Sequence, residues 1–497
     1  MWRQKPQLAK LNTIIAGLLL FSSTVGYDGS LMNGLQSLEQ WQEFMSHPTG
    51  AWLGFINAIQ FLGVILGFPL QAWAANRFGR KPTIFVGYFF LAIGAGLQAG
   101  ATSPAMFIVA RLFVGQASAW FQVAVILVTE IAYPSHRSKF SASYQCQYYV
   151  GSIFSAWLTF GCRDQDSSWA WRLPSLLQLG IPLLALPFAA MAPESPRWLI
   201  SQDRHEEARQ MVVRYYAEGD ESSPFIVAQM DEMSSSIAAE KEAESSTKWT
   251  DMVKTSGNRR RFFISVTLGI FAQWNGVGVV SYYLTLILDT IGITSVKDQL
   301  MINGFLQLWN LIMAIAGALL VDRVGRRSLF LLSTTIMLVS YIIITGLSGG
   351  FATTKSAPIG VSVIPFLFLY YGGYDIAFTP LLLAYPAEIW QFSLRAKGVA
   401  LTSACTYFAL LFNSFVNPIA LNAIHWKYYF VYIALLVLIF VVVYLLYPET
   451  RGHSLENMAA IFDDDENSSW TDVQFGKKIS DPEVDHIECQ GIERDDR

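Results

Sequence analysis

The sequence predicts an all-α polytopic membrane protein whose twelve transmembrane helices fall into two six-helix halves. Three observations carry that prediction. Only 14% of the 497 residues are charged and 53% are hydrophobic, whereas a soluble domain carries about 25% charged residues. Apolar runs such as 11–26, 264–287 and 428–447 approach or reach the roughly 20 residues a helix needs to cross a bilayer. Three short charged motifs also occur twice, in the same order and roughly 250 residues apart, as in a duplicated half.

Segments of spanning length begin near residues 11, 51, 83, 104, 139 and 172, and again near 260, 299, 328, 357, 395 and 426. The first follows a basic start (Arg3, Lys5, Lys10), as a cleavable signal does. No small-residue cleavage site follows it, however, and the helix runs on into Tyr27-Asp28. Residues 1–200 form the first half and 259–447 the second. Between them, 201–258 is polar; 204–216 and 232–244 have helical character on either side of a Gly219–Pro224 break, so short cytoplasmic helices are expected, with a disordered linker as the alternative. The stretch 448–497 is acidic, includes Asp463-Asp464-Asp465-Glu466, and reads as a disordered tail.

Charge sets the expected orientation. Arg77, Arg80 and Lys81 follow span 2, and Arg137 and Lys139 follow span 4. Arg323, Arg326 and Arg327 follow span 8, and Arg395 and Lys397 follow span 10. The opposite loops are nearly free of Lys and Arg, which places these loops and both termini in the cytoplasm. From Pro448 onward there are 14 acidic and 5 basic residues, so the net charge of −4 hides a basic bundle with an acidic tail. Neither figure points to nucleic acid. The cysteines (Cys146, Cys162, Cys405, Cys489) and six His are scattered, with no disulfide or metal-ligand spacing.

Enzyme signals are weak. Gly346-Leu347-Ser348-Gly349-Gly350 fits a hydrolase pattern but ends an apolar helix, where that pattern needs a strand–turn–helix. No G-x-x-x-x-G-K-[ST] loop exists to cradle ATP phosphates. The duplication instead suggests halves that face each other across a transport site. Such transport runs on a gradient, and no cofactor is called for.

The repeated motifs are Asn76-Arg77-Phe78-Gly79-Arg80-Lys81 with Asp322-Arg323-Val324-Gly325-Arg326-Arg327, Glu130…Arg137 with Glu388…Arg395, and Pro193-Glu194-Ser195-Pro196-Arg197 with Pro448-Glu449-Thr450-Arg451. Together they resemble the sugar porter family of the major facilitator superfamily over nearly the whole chain. Val128-Thr129-Glu130, Gln273-Trp274, Ser281-Tyr282-Tyr283-Leu284, Tyr385-Pro386-Ala387-Glu388 and Asn417-Pro418 are most similar to its fungal lactose-permease-like branch. The resemblance implies a gating network of Arg77, Arg80, Glu130 and Arg137 in one half and Arg323, Arg326, Glu388 and Arg395 in the other, braced by Glu194 and Glu449. Snorkelling of basic residues to headgroups is the plainer alternative. Asn76, where the second copy keeps Asp322, implies a weaker first latch.

Asp28 in span 1 and Arg111 in span 4 are charges in apolar surroundings, where an unpaired charge costs on the order of 3 kcal/mol. The resemblance implies that Asp28 is a proton site working against Arg111, because facilitators carry a neutral residue there. Asp375 matches an acid found in facilitators too and reads as structural or gating. For the sugar, the resemblance implies contacts from Gln145, Gln273 and Asn310, with Asn413 and Asn417 as further intramembrane amides and Tyr282-Tyr283 as the gating pair. Three expected hexose contacts are replaced, by Ala272, Gly278 and Leu383, which predicts a roomier cavity. The implied function is proton-coupled import of a disaccharide of lactose or cellobiose type, or of a hexose, through the plasma membrane. A facilitative uniporter and a non-transporting sugar sensor are the alternatives.

Overall fold

A computed structural model describes residues 5–451 and Phe462; the rest of the acidic tail lies outside the described residues. The chain is helical with short connections. The spans are α1 (Pro6–Gln36), α2 (Gly50–Phe78), α3 (Arg80–Ala99), α4 (Pro104–Ile131), α5 (Pro134–Cys162) and α6 (Trp169–Met191), then α7 (Ser256–Thr290), α8 (Val296–Val324), α9 (Arg326–Thr354), α10 (Ile364–Ile389), α11 (Phe392–Ile424) and α12 (Tyr429–Leu446). Ten stretches among the described residues are long and apolar enough to span a membrane by composition. The count becomes twelve for two reasons. The run Phe392–Leu446 is two helices turned at His425, and α5, although 29 residues long, carries too many polar side chains to register.

Each half repeats one packing scheme. In the first, α1 packs on α5 while α2 and α3 pack on α4; in the second, α7 packs on α11 while α8 and α9 pack on α10. The halves meet where α2 lies against α11, α5 against α8, and α1 against the second part of α7. Close crossings rest on glycine: a Cβ on Gly26 would collide with the Tyr148 carbonyl, and one on Gly151 with the Ser23 carbonyl, so α1 and α5 touch backbone to backbone.

Two polar helices, His205–Tyr216 and Pro224–Ser246, lie between the halves in the chain. Glu218, just past the first, accepts the Gln7 and Leu8 amides at 3.0 Å each and so caps α1. The second is tied to the first half by Arg197–Glu240 at 2.6 Å. Beyond its end, Thr247 receives Lys397 Nζ from α11 on its carbonyl oxygen (2.9 Å) and its hydroxyl (2.6 Å).

Candidate transport site and gates

The duplicated motifs build one device twice at the end of the bundle that holds the basic loops. Gly79 (φ 102°) and Gly325 (φ 99°) turn the chain between paired helices in a conformation that favours glycine. Directly after the turns, Glu194 accepts the amides of Arg80 (3.0 Å) and Lys81 (3.1 Å), and Glu449 those of Arg326 (2.7 Å) and Arg327 (3.1 Å). A carboxylate at a helix N-terminus satisfies orphan N–H groups and meets the positive end of the dipole. Burial nonetheless pushes the Glu194 carboxyl above the usual carboxylate range, outweighing its three backbone donors and Arg80.

Arg80 grips Glu130 through Nε (3.0 Å) and Nη2 (3.2 Å), and its Nη1 reaches the Ala75 carbonyl. Arg326 repeats this with Glu388 and the Val321 carbonyl. Thr450 adds a hydroxyl to Glu388. These clamps lie within a half, not between halves. Arg77 and Arg323 are exposed, while Nε of Arg137 and of Arg395 is buried without a hydrogen-bond partner. Arg395 rests by the Phe392 ring.

The far end is closed by contacts between halves. Helix α7 breaks at Asn275–Gly276 (Gly276 φ 106°) and kinks again at Tyr283, whose φ −138° and ψ 31° are non-helical. The second kink interrupts the helical ladder, and α1 supplies the missing partners: Asn33 donates to the Ser281 carbonyl and accepts the Leu284 amide at 3.3 Å, and Gln36 donates to the Tyr282 carbonyl at 3.0 Å. Ser37 and Thr285 share a hydroxyl bond of 2.9 Å. Non-helical backbone at membrane depth is tolerated where neighbours satisfy it in this way.

Inside, Asp28 is buried and accepts Ser118 Oγ at 3.4 Å, while its Oδ1 has no partner. Arg111 is buried as well, but its guanidinium is turned to α2, with Nε on the Ile56 carbonyl (2.9 Å) and Nη2 on Gln60 Oε1 (2.7 Å). The two charges form no ion pair in this conformation. Tyr149 of α5 donates across the halves to Asp375 of α10, and Ser281 of α7 bonds Tyr371.

The amides divide into groups. Gln145 is exposed on α5, one turn from Tyr149 toward the basic end. Asn310 is fully buried with both amide atoms unpartnered, beside a Gln307–Asn303 bond of 3.2 Å on the same helix. Asn413 donates to the Gln273 carbonyl at 2.8 Å, and Asn417 accepts the hydroxyls of Tyr432 (2.7 Å) and Tyr428 (3.1 Å). Tyr282 packs edge-on to Phe61 of α2, and Tyr283 is fully buried with its hydroxyl on the Ser414 carbonyl.

One expectation changes. Gly278 leaves no vacancy, because the Asn413 amide fills the space a side chain there would take, and Ala272 is fully buried. Leu383, the third replacement, is 38% exposed. Sequence reasoning missed Asn33, Gln36, Ser118 and Tyr149; the signal available was a polar or hydroxyl group on the packed face of a span.

Two internally alike helical halves enclosing a buried polar interior define a membrane carrier. Residues 13–462 match the family model described as "Sugar (and other) transporter", and the chain belongs to that family. It is a sugar transporter of the major facilitator type and not an enzyme. It is 30% identical over 446 residues to the MFS-type transporter oryC of Aspergillus oryzae (88% of this chain, 82% of that one). It is 27% identical over 469 residues to a high-affinity glucose transporter of Kluyveromyces lactis (89% and 82%). Among solved structures, the inward-open xylose transporter XylE of E. coli superposes with TM-score 0.74 at 22% identity, covering 91% of this chain and all of that one.

Proposed function

We propose that this chain imports a sugar together with a proton, exposing an interior site between the halves first to one face of the membrane and then to the other. The observation that carries the coupling is the disposition of Asp28 and Arg111. A buried acid keeps one oxygen unpartnered while the nearby cation is held by α2. An acid whose cation can approach and withdraw gains and loses its proton with conformation. Gln145, Asn310, Gln273, Asn413 and Asn417 supply amides for sugar hydroxyls, and Tyr282 and Tyr283 sit at the closed far gate. The clamps of Arg80–Glu130 and Arg326–Glu388 keep each half rigid, while Arg77, Arg137, Arg323 and Arg395 are the charges left to pair across the basic end when it shuts. The basic loops, and with them both termini, belong in the cytoplasm, and the plasma membrane is the compartment for such an importer.

A hexose is the substrate best supported. The Asn413 amide restores polarity beside Gly278, and relatives named as glucose transporters align over most of the chain. A lactose- or cellobiose-type disaccharide is the second reading, favoured by the smaller Leu383 where the resemblance leads one to expect a bulkier sugar contact. The test is uptake of labelled glucose and lactose by transporter-deficient yeast expressing the chain, with and without an uncoupler. Uptake that collapses with the uncoupler, and in Asp28→Asn, supports symport. Uptake that ignores both makes the chain a uniporter, and sugar-dependent signalling without uptake makes it a sensor.

A further inference from the structure

Asp375 sits midway along α10 and is fully enclosed. Its Oδ1 receives two hydroxyls: one from Tyr149, which belongs to the opposite half, and one from Thr379, a turn along α10, at 2.8 Å. Its Oδ2 is buried with no partner. The titratable groups around it are Tyr149, Tyr148 and Cys146 from α5, Tyr371, Tyr374 and Tyr370 from α10, and Tyr282 from α7 beyond Tyr371. Helix α8 approaches through Gly317, and α9 through Ser333 and Met337 against Gly373. No Lys, Arg or His among the described residues pairs with it.

A carboxylate deprived of both water and a cation is costly at membrane depth, whereas the neutral acid has only one hydroxyl to house. The donor pattern agrees: Oδ1, which takes two O–H groups, behaves as a carbonyl oxygen, and Oδ2 is the atom left to carry hydrogen. Because Tyr149 moves with the other half, any parting of the halves at this level removes one donor and admits water.

We propose that Asp375 is a second proton-carrying residue, distinct from Asp28, which holds its proton while Tyr149 of the opposite half seals it and releases it when the halves part. On release the O–H bond at Oδ2 breaks, the electron pair stays on the carboxylate and the proton passes to water in the opened cavity; closure reverses the step. The proposal rests on the alternating-access reading above but not on proton coupling at Asp28.

The full chain in lipid nanodiscs, without sugar, is titrated from mildly acidic to alkaline pH under infrared spectroscopy. Hydrogen exchange is followed in parallel at residues 33–37 and 281–285. A protonated-carboxyl band is expected that is lost in Asp375→Asn, kept in Asp28→Asn, and moved to higher frequency in Tyr149→Phe, which removes a single donor. Exchange at the far seal, divided by the intrinsic amide exchange rate at each pH, should rise several-fold with pH in the wild type and stay constant in Asp375→Asn, because charging Asp375 disfavours the sealed conformation. A band indifferent to Asp375→Asn and to Tyr149→Phe overturns the proposal. So does a wild-type pH response that Asp375→Asn retains, and that result leaves the carrier reading intact.

Discussion

Removing Asn33 should open the far gate without harming either half. In the sealed conformation its side chain donates to the Ser281 carbonyl and accepts the Leu284 amide, both groups of the second half. Each neutral hydrogen bond contributes about 0.5–1.5 kcal/mol net, so losing two shifts the sealed–open equilibrium by about 1–3 kcal/mol, a factor of about 5–150. Leu53, 2% exposed, lies in the crevice between the halves near Leu286 and Leu421, and reports the opening. Leu53→Cys, on a background whose four native cysteines are serine, should react slowly with maleimide in nanodiscs, where both faces are accessible. Adding Asn33→Ala should raise that rate by the calculated factor as long as the open form is the minor one. Ser152→Ala loses a bond to the Gly26 carbonyl within the first half (2.9 Å) and should leave the rate unchanged. A rate for Asn33→Ala within about twofold of its parent, roughly 0.4 kcal/mol, would refute the reasoning.

Further outcomes are expected in thermal unfolding of the purified protein. Double-mutant cycles on Arg80–Glu130 and Arg326–Glu388, with every side chain 27% exposed or less, should give coupling energies of about 1–3 kcal/mol, between surface and buried pairs. Glu388→Ala should cost more than Glu130→Ala, because Thr450 also bonds Glu388. Burial holds the Glu194 carboxyl above its ordinary value, so the folded state binds more protons there than the unfolded state. Stability should therefore fall as pH rises from about 4.3 through the raised value, and Glu194→Gln should flatten that stretch. Gly276→Ala should cost about 1–2 kcal/mol in backbone strain alone, since Gly276 has φ 106°, with more lost on displacing the Tyr341 ring. Gly346→Ala, which meets nothing, should be neutral or better.

Apolar run length and duplication made all twelve spans legible, although two helices depart from a plain apolar run for physical reasons. Helix α5 is polar because Ser152 and Tyr149 serve packed interfaces, so composition understates it as a span. Helix α7 reads as one apolar run because its breaks use a glycine and a tyrosine, neither of which interrupts hydropathy. The clamp residues were nominated because their motifs recur in the same order, but the repeated Glu–Arg spacing is not the pair that forms. Glu130 and Glu388 bind the Arg that follows each glycine turn, and Nε of Arg137 and of Arg395 has no hydrogen-bond partner. Vacancies were not legible: Gly278 read as empty space because nothing in span 7 reveals that Asn413 of span 11 reaches into it. The conformation of Arg111 was also hidden, since sequence can nominate two charges but not which carbonyl holds one of them.

The contrast between the two ends follows from what each contact has to do. At the basic end each clamp holds its own half together, so both copies needed the same chemistry, and glycine turn, glutamate cap and Arg–Glu pair persist in register. At the far end the contact joins unlike surfaces, and complementarity replaces identity: two amides of α1 face backbone groups that a kink in α7 has released. A gate built on backbone groups has a definite consequence. Those groups must be bonded in both conformations, to Asn33 and Gln36 when sealed and to water or substrate when open. Opening is therefore inexpensive only if water or a hydroxyl-rich solute enters as α1 withdraws. A hydroxyl-rich solute can supply those partners as water does, whereas an apolar solute that displaced the water would leave them unpaired.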